Sequence, residues 1–456
     1  MRNYYCFDIE FENVDFNKYY IKSDAVSKTH QARLFTHDKE IELRIFYDPK
    51  TYLGEKLSKW TKSINHRDFG SFIKLSKESQ NYRLQRIDLS DAKLCGFSIS
   101  TSYYENGFKY IKIKIDTAKF YWDPNNEELY TGEFYFHDEG FRVVEPFYSV
   151  LFGVNGSFNI SRMKDADDFY KIGKSEFRPE FYTYSSDDVK NREAKVIKEP
   201  KIQFKYKQSV TENDAVFYGE VVRYLASFYH HLNIEYSLCR VHLNEYTITI
   251  KRIEEKKLTD IRGNLWAFDI PWDFNTFLKK EWQSGTIKNH KLLFKAIELF
   301  NQALLVDSSS EFLIRYNLLE ICNNLKIKSE KFKLIVNGNT KKKKYKEALK
   351  LLLETIDLKD HKSFTNKWNS LSGKLEYRPM KSPLISFLES QNFQIDEFPI
   401  SIEKLKILRD NITHGSINKV DSDELRKANT FLYRINGILI LNLIGINEWK
   451  LNTDLK

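Results

Sequence analysis

The sequence predicts an α+β fold, in which a β-rich N-terminal region of antiparallel sheets precedes a C-terminal all-α helical bundle. Before residue 280, several segments alternate apolar with polar residues, which is the period of a half-buried strand. After about residue 285, apolar residues recur three and four positions apart, which is the period of an amphipathic helix. The 456 residues also exceed what one hydrophobic core usually supports. We therefore place a β-rich region at 1–280, with a sub-boundary near 185–200, and a helical bundle at 285–456.

Four segments carry the strand prediction. Residues 41–47, 110–115 and 246–250 alternate apolar side chains with charged or polar ones. Asn106-Gly107 separates the segment 97–101 from the strand at 110–115, and both turn residues tolerate positive φ, so the pair predicts a β-hairpin. Strands at this spacing, with few helical stretches between them, are typical of antiparallel sheets in a sandwich or barrel-like domain.

The rest of the N-terminal region is less regular. Residues 184–200 are polar, charged and weakly periodic, so we expect a loop or a subdomain boundary there. Val221, Leu225 and Phe228 then predict one amphipathic helix. Residues 256–271 are expected to lead out of the β-rich region.

The C-terminal part shows a series of apolar stripes at helical spacing. They cover residues 292–303, 312–321, 348–356, 364–371 and 425–439, and a short helix is expected to open at Ser382-Pro383. Ser308-Ser309-Ser310-Glu311 supplies N-cap candidates for the second helix, and Asp421-Ser422-Asp423-Glu424 for the last. Leu405 and Leu408 lead through a polar motif to Gly415.

The most informative segment joins the last two helices and reads Leu408-Arg409-Asp410-Asn411-Ile412-Thr413-His414-Gly415. Arg409 and His414 lie five positions apart, which on an uninterrupted helix is a rotation of about 140°, so the two side chains would not share a face. Two geometries would bring them to one site. The helix can end near Thr413 with Gly415 as its left-handed cap, and two copies of the motif can meet across a twofold axis. The two geometries are compatible.

An arginine and a histidine in this arrangement suit the cleavage of an RNA phosphodiester. An unperturbed imidazole, with a pKa of about 6.5, can take a proton from a ribose 2′-OH or give one to the leaving 5′ oxygen. A guanidinium can pair with the scissile phosphate and stabilise the charge that develops there. Attack by the 2′-OH requires no metal ion, and DNA lacks this nucleophile. Asp410 and Asn411 would orient the pair or hydrogen-bond the substrate.

The segment from Arg409 to Gly415, placed between two helices, resembles the R-x4–6-H signature of HEPN ribonucleases. The polar residue after the arginine, here Asp410, is similar to that family's pattern as well. A β-rich region followed by such a bundle resembles the ApeA-type anti-phage proteins. The resemblance is carried by residues 285–450, whereas for residues 1–280 it rests on general architecture. An insertion-like stretch near 323–346 departs from the family.

The resemblance implies a function and a partner set. It implies a homodimeric, metal-independent endoribonuclease of bacterial anti-phage defence, acting through abortive infection, with Arg409 and His414 as catalytic residues. The β-rich region would then be a sensor or regulatory domain that responds to a phage-derived trigger. RNA, tRNA included, would be the substrate.

Positive charge is concentrated in the C-terminal part. Residues 281–456 contain 29 Lys and Arg against 21 Asp and Glu, a net charge of +8, whereas residues 1–280 contain 43 against 42. An excess of positive charge beside the Arg–His motif favours a polyanionic partner such as RNA. The run Lys341-Lys342-Lys343-Lys344 supplies candidate RNA contacts, although such a run is also typical of a solvated loop and helix start. Glu320, on the second helix, is a candidate to line the same cleft or an ordinary helix-surface residue.

Other features narrow the function classes. The four cysteines are far apart and no histidine stands at zinc-ligand spacing, so we expect reduced thiols in a cytoplasmic protein and no metal site. We expect no cofactor, because the chain has no glycine-rich phosphate loop. No apolar run of about 18 residues predicts a membrane span. His230-His231 is interpreted as the wet end of a helix rather than a ligand pair.

Two other interpretations stay open. In the first, the HEPN-like bundle only binds RNA or a nucleotide, or mediates dimerisation, and the N-terminal region senses a ligand. In the second, the β-rich half is itself the functional part and recognises a protein or a sugar through exposed aromatic residues.

Overall fold

In this computed structural model, the described part of the chain divides into two compact units. The first comprises Met1–Gly263 with Trp272–Ser284, and the second comprises Asn264–Pro271 with Gly285–Lys456. The structure describes residues 3–11, 30–36, 40–47, 73–76, 84–89, 92–99, 109–125, 129–152, 158–163, 169–188, 193–208, 210–253, 274–279, 290–326, 338–372, 381–451 and 453.

The first unit is rich in antiparallel strands. Those described are β1 (Asn3–Phe11), β2 (His30–Thr36), β3 (Ile41–Tyr47), β4 (Ile73–Ser76), β5 (Leu84–Asp88), β6 (Leu94–Ile99), β7 (Lys109–Ile115), β8 (Thr117–Trp122), β9 (Thr131–Phe136), β10 (Tyr148–Phe152), β11 (Phe158–Arg162), β12 (Tyr170–Ile172), β13 (Ser175–Asp188), β14 (Glu193–Tyr206), β15 (Tyr236–His242) and β16 (Thr247–Arg252). They form a six-stranded sheet in the order β4-β1-β2-β3-β7-β6, a two-stranded sheet β10-β11, and an eight-stranded sheet in the order β12-β13-β14-β9-β15-β16-β8-β5.

The strands that alternation predicted at 41–47, 110–115 and 246–250 are confirmed as β3, β7 and β16. In the six-stranded sheet, Leu43 stands opposite Ile113 and Ile41 opposite Ile115, and all four side chains are buried. The apolar face of these strands is therefore the core face, as a period of two requires. The predicted hairpin pairing is also confirmed, because β6 and β7 are antiparallel neighbours. Its turn at Asn106-Gly107 lies outside the described residues.

The loop predicted at 184–200 is wrong. β13 and β14 run through this segment as two 14-residue strands, paired antiparallel from Ser175 opposite Tyr206 to Asp188 opposite Glu193. Such a ladder is held by backbone hydrogen bonds, which charged and polar residues make as well as apolar ones do. Weak apolar periodicity therefore concealed a long hairpin. The segment 256–271 lies outside the described residues.

The α-helices described in the first unit are α1 (Phe141–Val144), α2 (Glu212–His230) and α3 (Phe274–Lys279). α2 is the amphipathic helix predicted from Val221, Leu225 and Phe228, and these three side chains are buried. A Cβ at Gly219 would overlap the ring of Phe134, so the glycine permits close approach of the helix to the sheet.

The end of α2 corrects one prediction. His231 is 2 % exposed with φ 53°, and the ring of His230 lies 4.8 Å from Phe274 and 5.0 Å from Tyr229. The His230-His231 pair is therefore packed among aromatic rings and is not the wet end of a helix.

The second unit is helical. Its described α-helices are α4 (His290–Gln302), α5 (Ser308–Lys326), α6 (Gly338–Leu353), α7 (His361–Ser372), α8 (Lys381–Ser390), α9 (Ile402–Thr413) and α10 (Ser422–Ile444). α5 packs against α4, α8, α9 and α10, so it is the central helix of this unit. The predicted α+β class, with antiparallel sheets first and helices after them, is confirmed. Within the described ranges, no helix is long and apolar enough to cross a membrane.

Of the two predicted helix N-caps, the one for α10 is confirmed and the one for α5 is wrong. Asp421 caps α10 by accepting from the backbone N–H of Asp423 at 2.8 Å, as predicted. At α5 the serines are already helical, and Asp307 accepts from the backbone N–H groups of Ser309 and Ser310, both at 3.1 Å. A carboxylate there also faces the positive end of the helix dipole, which makes it the better cap. The lysine run lies in the first two turns of α6, so the predicted helix start is confirmed and the predicted loop is wrong.

Candidate Arg–His site

α9 carries the motif, and its sequence explains where it begins and which face it buries. Ser401 is its N-cap, and its hydroxyl accepts from the backbone N–H of Lys404 at 3.2 Å. Leu405, Leu408 and Ile412 recur at spacings of three and four and are all buried. α9 packs against the central helix α5. Consequently the residues between these apolar positions point toward the edges of that contact and toward solvent.

A Schellman motif ends α9. The N–H of Ser416 donates to the carbonyl of Asn411 at 2.8 Å, and the N–H of Gly415 donates to that of Ile412 at 3.2 Å. Gly415 has φ +73°, which confirms the predicted left-handed cap. His414 is thereby the last residue before the chain turns, with φ −93° and ψ 12°. Its side chain is exposed.

Arg409 lies one and a half turns before this cap and is held from two helices. Its Nη1 donates to Oδ1 of Asp410 at 2.8 Å, and its Nη2 lies 3.5 Å from Oε1 of Glu320 on α5. Its Cζ lies 5.8 Å from the ring centroid of Tyr316, one turn before Glu320. The Arg409 side chain keeps 37 % of its surface exposed. The guanidinium is therefore positioned by the protein but still open to a ligand.

The charges around Arg409 perturb one another. The hydrogen bond that Arg409 donates to Asp410 raises the pKa of Arg409, so the guanidinium stays charged at every physiological pH. Burial raises the pKa of Glu320, and Arg409 offsets only part of this effect. Burial also raises the pKa of Tyr316, with a further contribution from the Glu320 carboxylate. A cation, two carboxylates and a phenol thus share one edge of the α5–α9 contact.

The structure brings together some of the predicted site residues. Arg409, Asp410 and Glu320 form one cluster, as the geometry above shows. Asn411 contributes through its backbone carbonyl, which fixes the end of the helix. The exposed imidazole of His414 makes no hydrogen bond or ion pair with any other residue that the structure describes. The ring is therefore available to a substrate or to a second copy of the chain.

Lys341, Lys342, Lys343 and Lys344 belong to another element. They lie in the first two turns of α6, and the last three of them are exposed.

Among the described residues, no group of three or more His, Cys, Asp or Glu is arranged to hold a metal ion.

Tyr316 lies beside Arg409 in this cluster, and the sequence did not reveal it. It stands in the apolar stripe of the second helix, and this spacing predicts a core residue. In the structure Tyr316 is 4 % exposed. Tyr316 and Arg409 are 93 positions apart in sequence, and their contact depends on the packing of α5 against α9. The one available signal was that Tyr316 and Glu320 are four residues apart and so share a helix face.

Comparisons of the chain with protein-family models, with curated proteins and with solved structures found no match in any of the three.

Proposed function

We propose that this chain is a metal-independent endoribonuclease whose catalytic residues are Arg409 and His414. The observation that carries the proposal is the end of α9. There, a guanidinium that is held by Asp410 and Glu320 yet 37 % exposed is followed by an exposed imidazole at a helix cap. Both groups are accessible to solvent, as contact with a polymeric substrate requires.

The chemistry follows from what each group can do. His414 accepts the proton of a ribose 2′-OH, and the 2′ oxygen forms a bond to the adjacent phosphorus. The P–O5′ bond breaks, the 5′ oxygen receives a proton from a second acid, and the products are a 2′,3′-cyclic phosphate and a 5′-hydroxyl. Arg409 donates hydrogen bonds to the phosphoryl oxygens, where negative charge increases during this step. No proton or electron is left unaccounted for.

The second acid is the reason for proposing a homodimer. His414 lies about 7.5 Å along the helix axis from Arg409, and the described residues around it include no second histidine on α9 or at its cap. Two copies of the motif facing each other across a twofold axis would supply two imidazoles, one as base and one as acid. Specific activity should then rise with protein concentration as dimers form.

The biological role in the proposal rests on resemblance. The motif resembles that of HEPN ribonucleases, and the order of a β-rich unit followed by a helical unit resembles ApeA-type anti-phage proteins. The proposed role is therefore abortive infection, in which a phage-derived trigger acts on the β-rich unit and releases RNA cleavage by the helical one.

The test is cleavage of RNA by the purified full chain in EDTA. We expect His414→Ala to lower the cleavage rate by about 10²- to 10⁴-fold and Arg409→Ala by about 10²- to 10³-fold. Arg409→Lys should also be severe, because an ammonium cannot present the paired donors of a guanidinium. An all-deoxy version of the same substrate should remain intact.

Matched controls separate catalysis from charge. Arg426→Ala removes an exposed arginine of α10, and His290→Ala removes a histidine of α4; neither should change the rate. Cleavage that survives both Arg409→Ala and His414→Ala would refute the proposal. RNA binding that yields no product, and that His414→Ala leaves unchanged, would favour the alternative of a non-catalytic RNA-binding or dimerisation module.

A further inference from the structure

The helices α6 and α7 form a basic helical hairpin, here called the lysine hairpin and defined as residues 338–372. It contains nine lysines and four acidic residues, a net charge of +5 out of +9 for the whole chain. The two helices pack against each other, and the rings of Tyr345 and Trp368 meet edge to face at 6.4 Å.

This hairpin differs from the rest of its unit in burial. α6 has no buried residue, and none of the described side chains of α7 is buried either. By contrast, α10 buries 13 residues. Leu351 and Leu358 of the hairpin are 65 % and 83 % exposed. A core therefore does not explain why this segment is helical and basic.

Three of the six lysines of α6 lie on one side of the helix. At 100° per residue, Lys343, Lys346 and Lys350 fall within about 60° of one another and extend over about 10 Å of the helix. All three are exposed, and none forms an ion pair with another described residue. Tyr345 and Leu352 lie on the opposite side, where Tyr345 meets α7. The lysine face is thus turned away from the partner helix and is open.

This arrangement places like charges next to one another on the helix, and Glu347, four residues after Lys343 and three before Lys350, offsets part of their repulsion. Lys343, Lys346 and Lys350 are neighbours at spacings of three and four, so they repel one another. The first turn of α6 contains no acidic residue, and lysines follow it at the positive end of the helix dipole. A polyanion lying along this face would relieve both effects.

We propose that the lysine face of α6 binds the phosphate backbone of RNA without reading its sequence. Three unpaired ammonium groups in a row, about 10 Å long, complement a chain of phosphates. An anionic membrane fits less well, because Tyr345 is packed against Trp368 and the exposed Leu351 and Leu352 point about 100° apart, so α6 has no continuous apolar face to insert. The choice of RNA among polyanions rests on the proposed nuclease function, whereas the lysine face itself does not depend on it.

The test measures RNA binding by the full chain in a His414→Ala background, so that the probe is not cut. A fluorescent single-stranded RNA of mixed sequence is titrated at a series of KCl concentrations. The variant Lys343→Gln/Lys346→Gln/Lys350→Gln should bind about ten- to a hundredfold more weakly at 0.1 M salt, and its slope of log affinity against log salt should fall by about 2, because each phosphate contact contributes about 0.7.

The matched control is Lys171→Gln/Lys174→Gln/Lys207→Gln, which removes three exposed lysines of the β-rich unit and the same total charge. This control should leave the affinity and the slope unchanged. Equal losses in both variants, or no loss in the hairpin variant, would overturn the inference. So would hairpin-dependent binding to vesicles of phosphatidylserine and phosphatidylcholine without RNA binding. Circular dichroism checks that α6 remains folded.

Cleavage is measured separately, so the two proposals fail in different ways. Cleavage by the chain with an active His414 that does not depend on the three lysines would leave the nuclease proposal standing and overturn this one. Lysine-dependent RNA binding by a chain that never cleaves RNA would overturn the nuclease proposal and leave this one standing.

Discussion

Arg223 of α2 and Arg409 of α9 both pair with carboxylates, but they differ in how far they are buried. Arg223 of α2 donates to Oε2 of Glu220 at 2.7 Å and to the carbonyl of Ile234 at 3.0 Å, and Glu220 also accepts from Arg252 at 2.6 Å. The residue is 8 % exposed. Arg409 of α9 faces two carboxylates, yet 37 % of its side chain remains exposed.

This difference separates a structural ion pair from a candidate site. Around Arg223, the carboxylate and the carbonyl satisfy donors that water cannot reach, so removal of one partner leaves a buried polar group unpaired. Around Arg409, water can replace any lost partner, and an arriving phosphate can do the same. Burial of the guanidinium, rather than the number of its ion pairs, therefore indicates which arginine can bind a ligand.

The largest effect should come from Arg223→Met. We expect the free energy of unfolding to fall by about 3 kcal/mol, at the low end of the range for a broken buried ion pair, because Arg252 still faces Glu220. Chemical denaturation measures this. The matched variant Arg409→Met should cost less than about 1 kcal/mol, because its ion pairs are partly solvated. Equal losses in the two variants would remove the distinction between the two arginines.

Acid stability should depend on His230, again through burial. Burial lowers the pKa of His230 to about 3, with the positive charges of Arg142 and His231 acting in the same direction. Below about pH 6.5, His230 is protonated in the unfolded chain but not in the folded chain. The free energy of unfolding therefore decreases as the pH falls from about 6.5 toward 3, by up to about 1.4 kcal/mol per pH unit.

His230→Phe should remove this part of the acid sensitivity, because a phenyl ring fits among Tyr229 and Phe274 and carries no proton. Chemical denaturation at pH 7, 6 and 5 gives the slope. His414→Phe is the control for the loss of one exposed imidazole. An unchanged slope in His230→Phe would contradict the expected neutral, buried ring.

Local patterns anticipated part of this molecule, and the reasons are physical. Alternation located β3 and β7 because their buried apolar side chains lie on one face, and the spacing of Leu405 and Leu408 located α9 because the face they form packs on α5. β13 and β14 were missed because their ladder depends on backbone hydrogen bonds, which no side-chain pattern reports. Arg409 and His414 stood out by chemistry. The contact of Arg409 with Tyr316 did not, because tertiary packing creates it.

Gly415→Ala tests whether the cap positions His414. A Cβ at Gly415 would meet open space, so only the backbone at φ +73° opposes alanine. The cost should be about 1–2 kcal/mol in unfolding free energy. Gly445→Ala is the matched control, because Gly445 caps α10 with φ +89° and should cost a similar amount. Only Gly415→Ala should also lower RNA cleavage, and equal cleavage by the two variants would show that the cap does not position His414.

The smallest stability effect should come from Glu320→Gln, and its sign is informative. Because burial raises the pKa of Glu320, the folded chain holds this carboxyl proton more tightly than the unfolded chain does, so ionisation of Glu320 costs stability as the pH rises above its unfolded value. At pH 7, glutamine should therefore leave the unfolding free energy equal or slightly higher, by less than about 1 kcal/mol, although an ion pair with Arg409 is lost. A loss greater than that would mean that the ion pair stabilises the fold.

RNA cleavage by Glu320→Gln should nevertheless fall by about ten- to a hundredfold, because the guanidinium loses its anchor on α5. A carboxylate that lowers stability while supporting cleavage would place Glu320 with Arg409 in the site, on the opposite side of the comparison from Glu220 and Arg223.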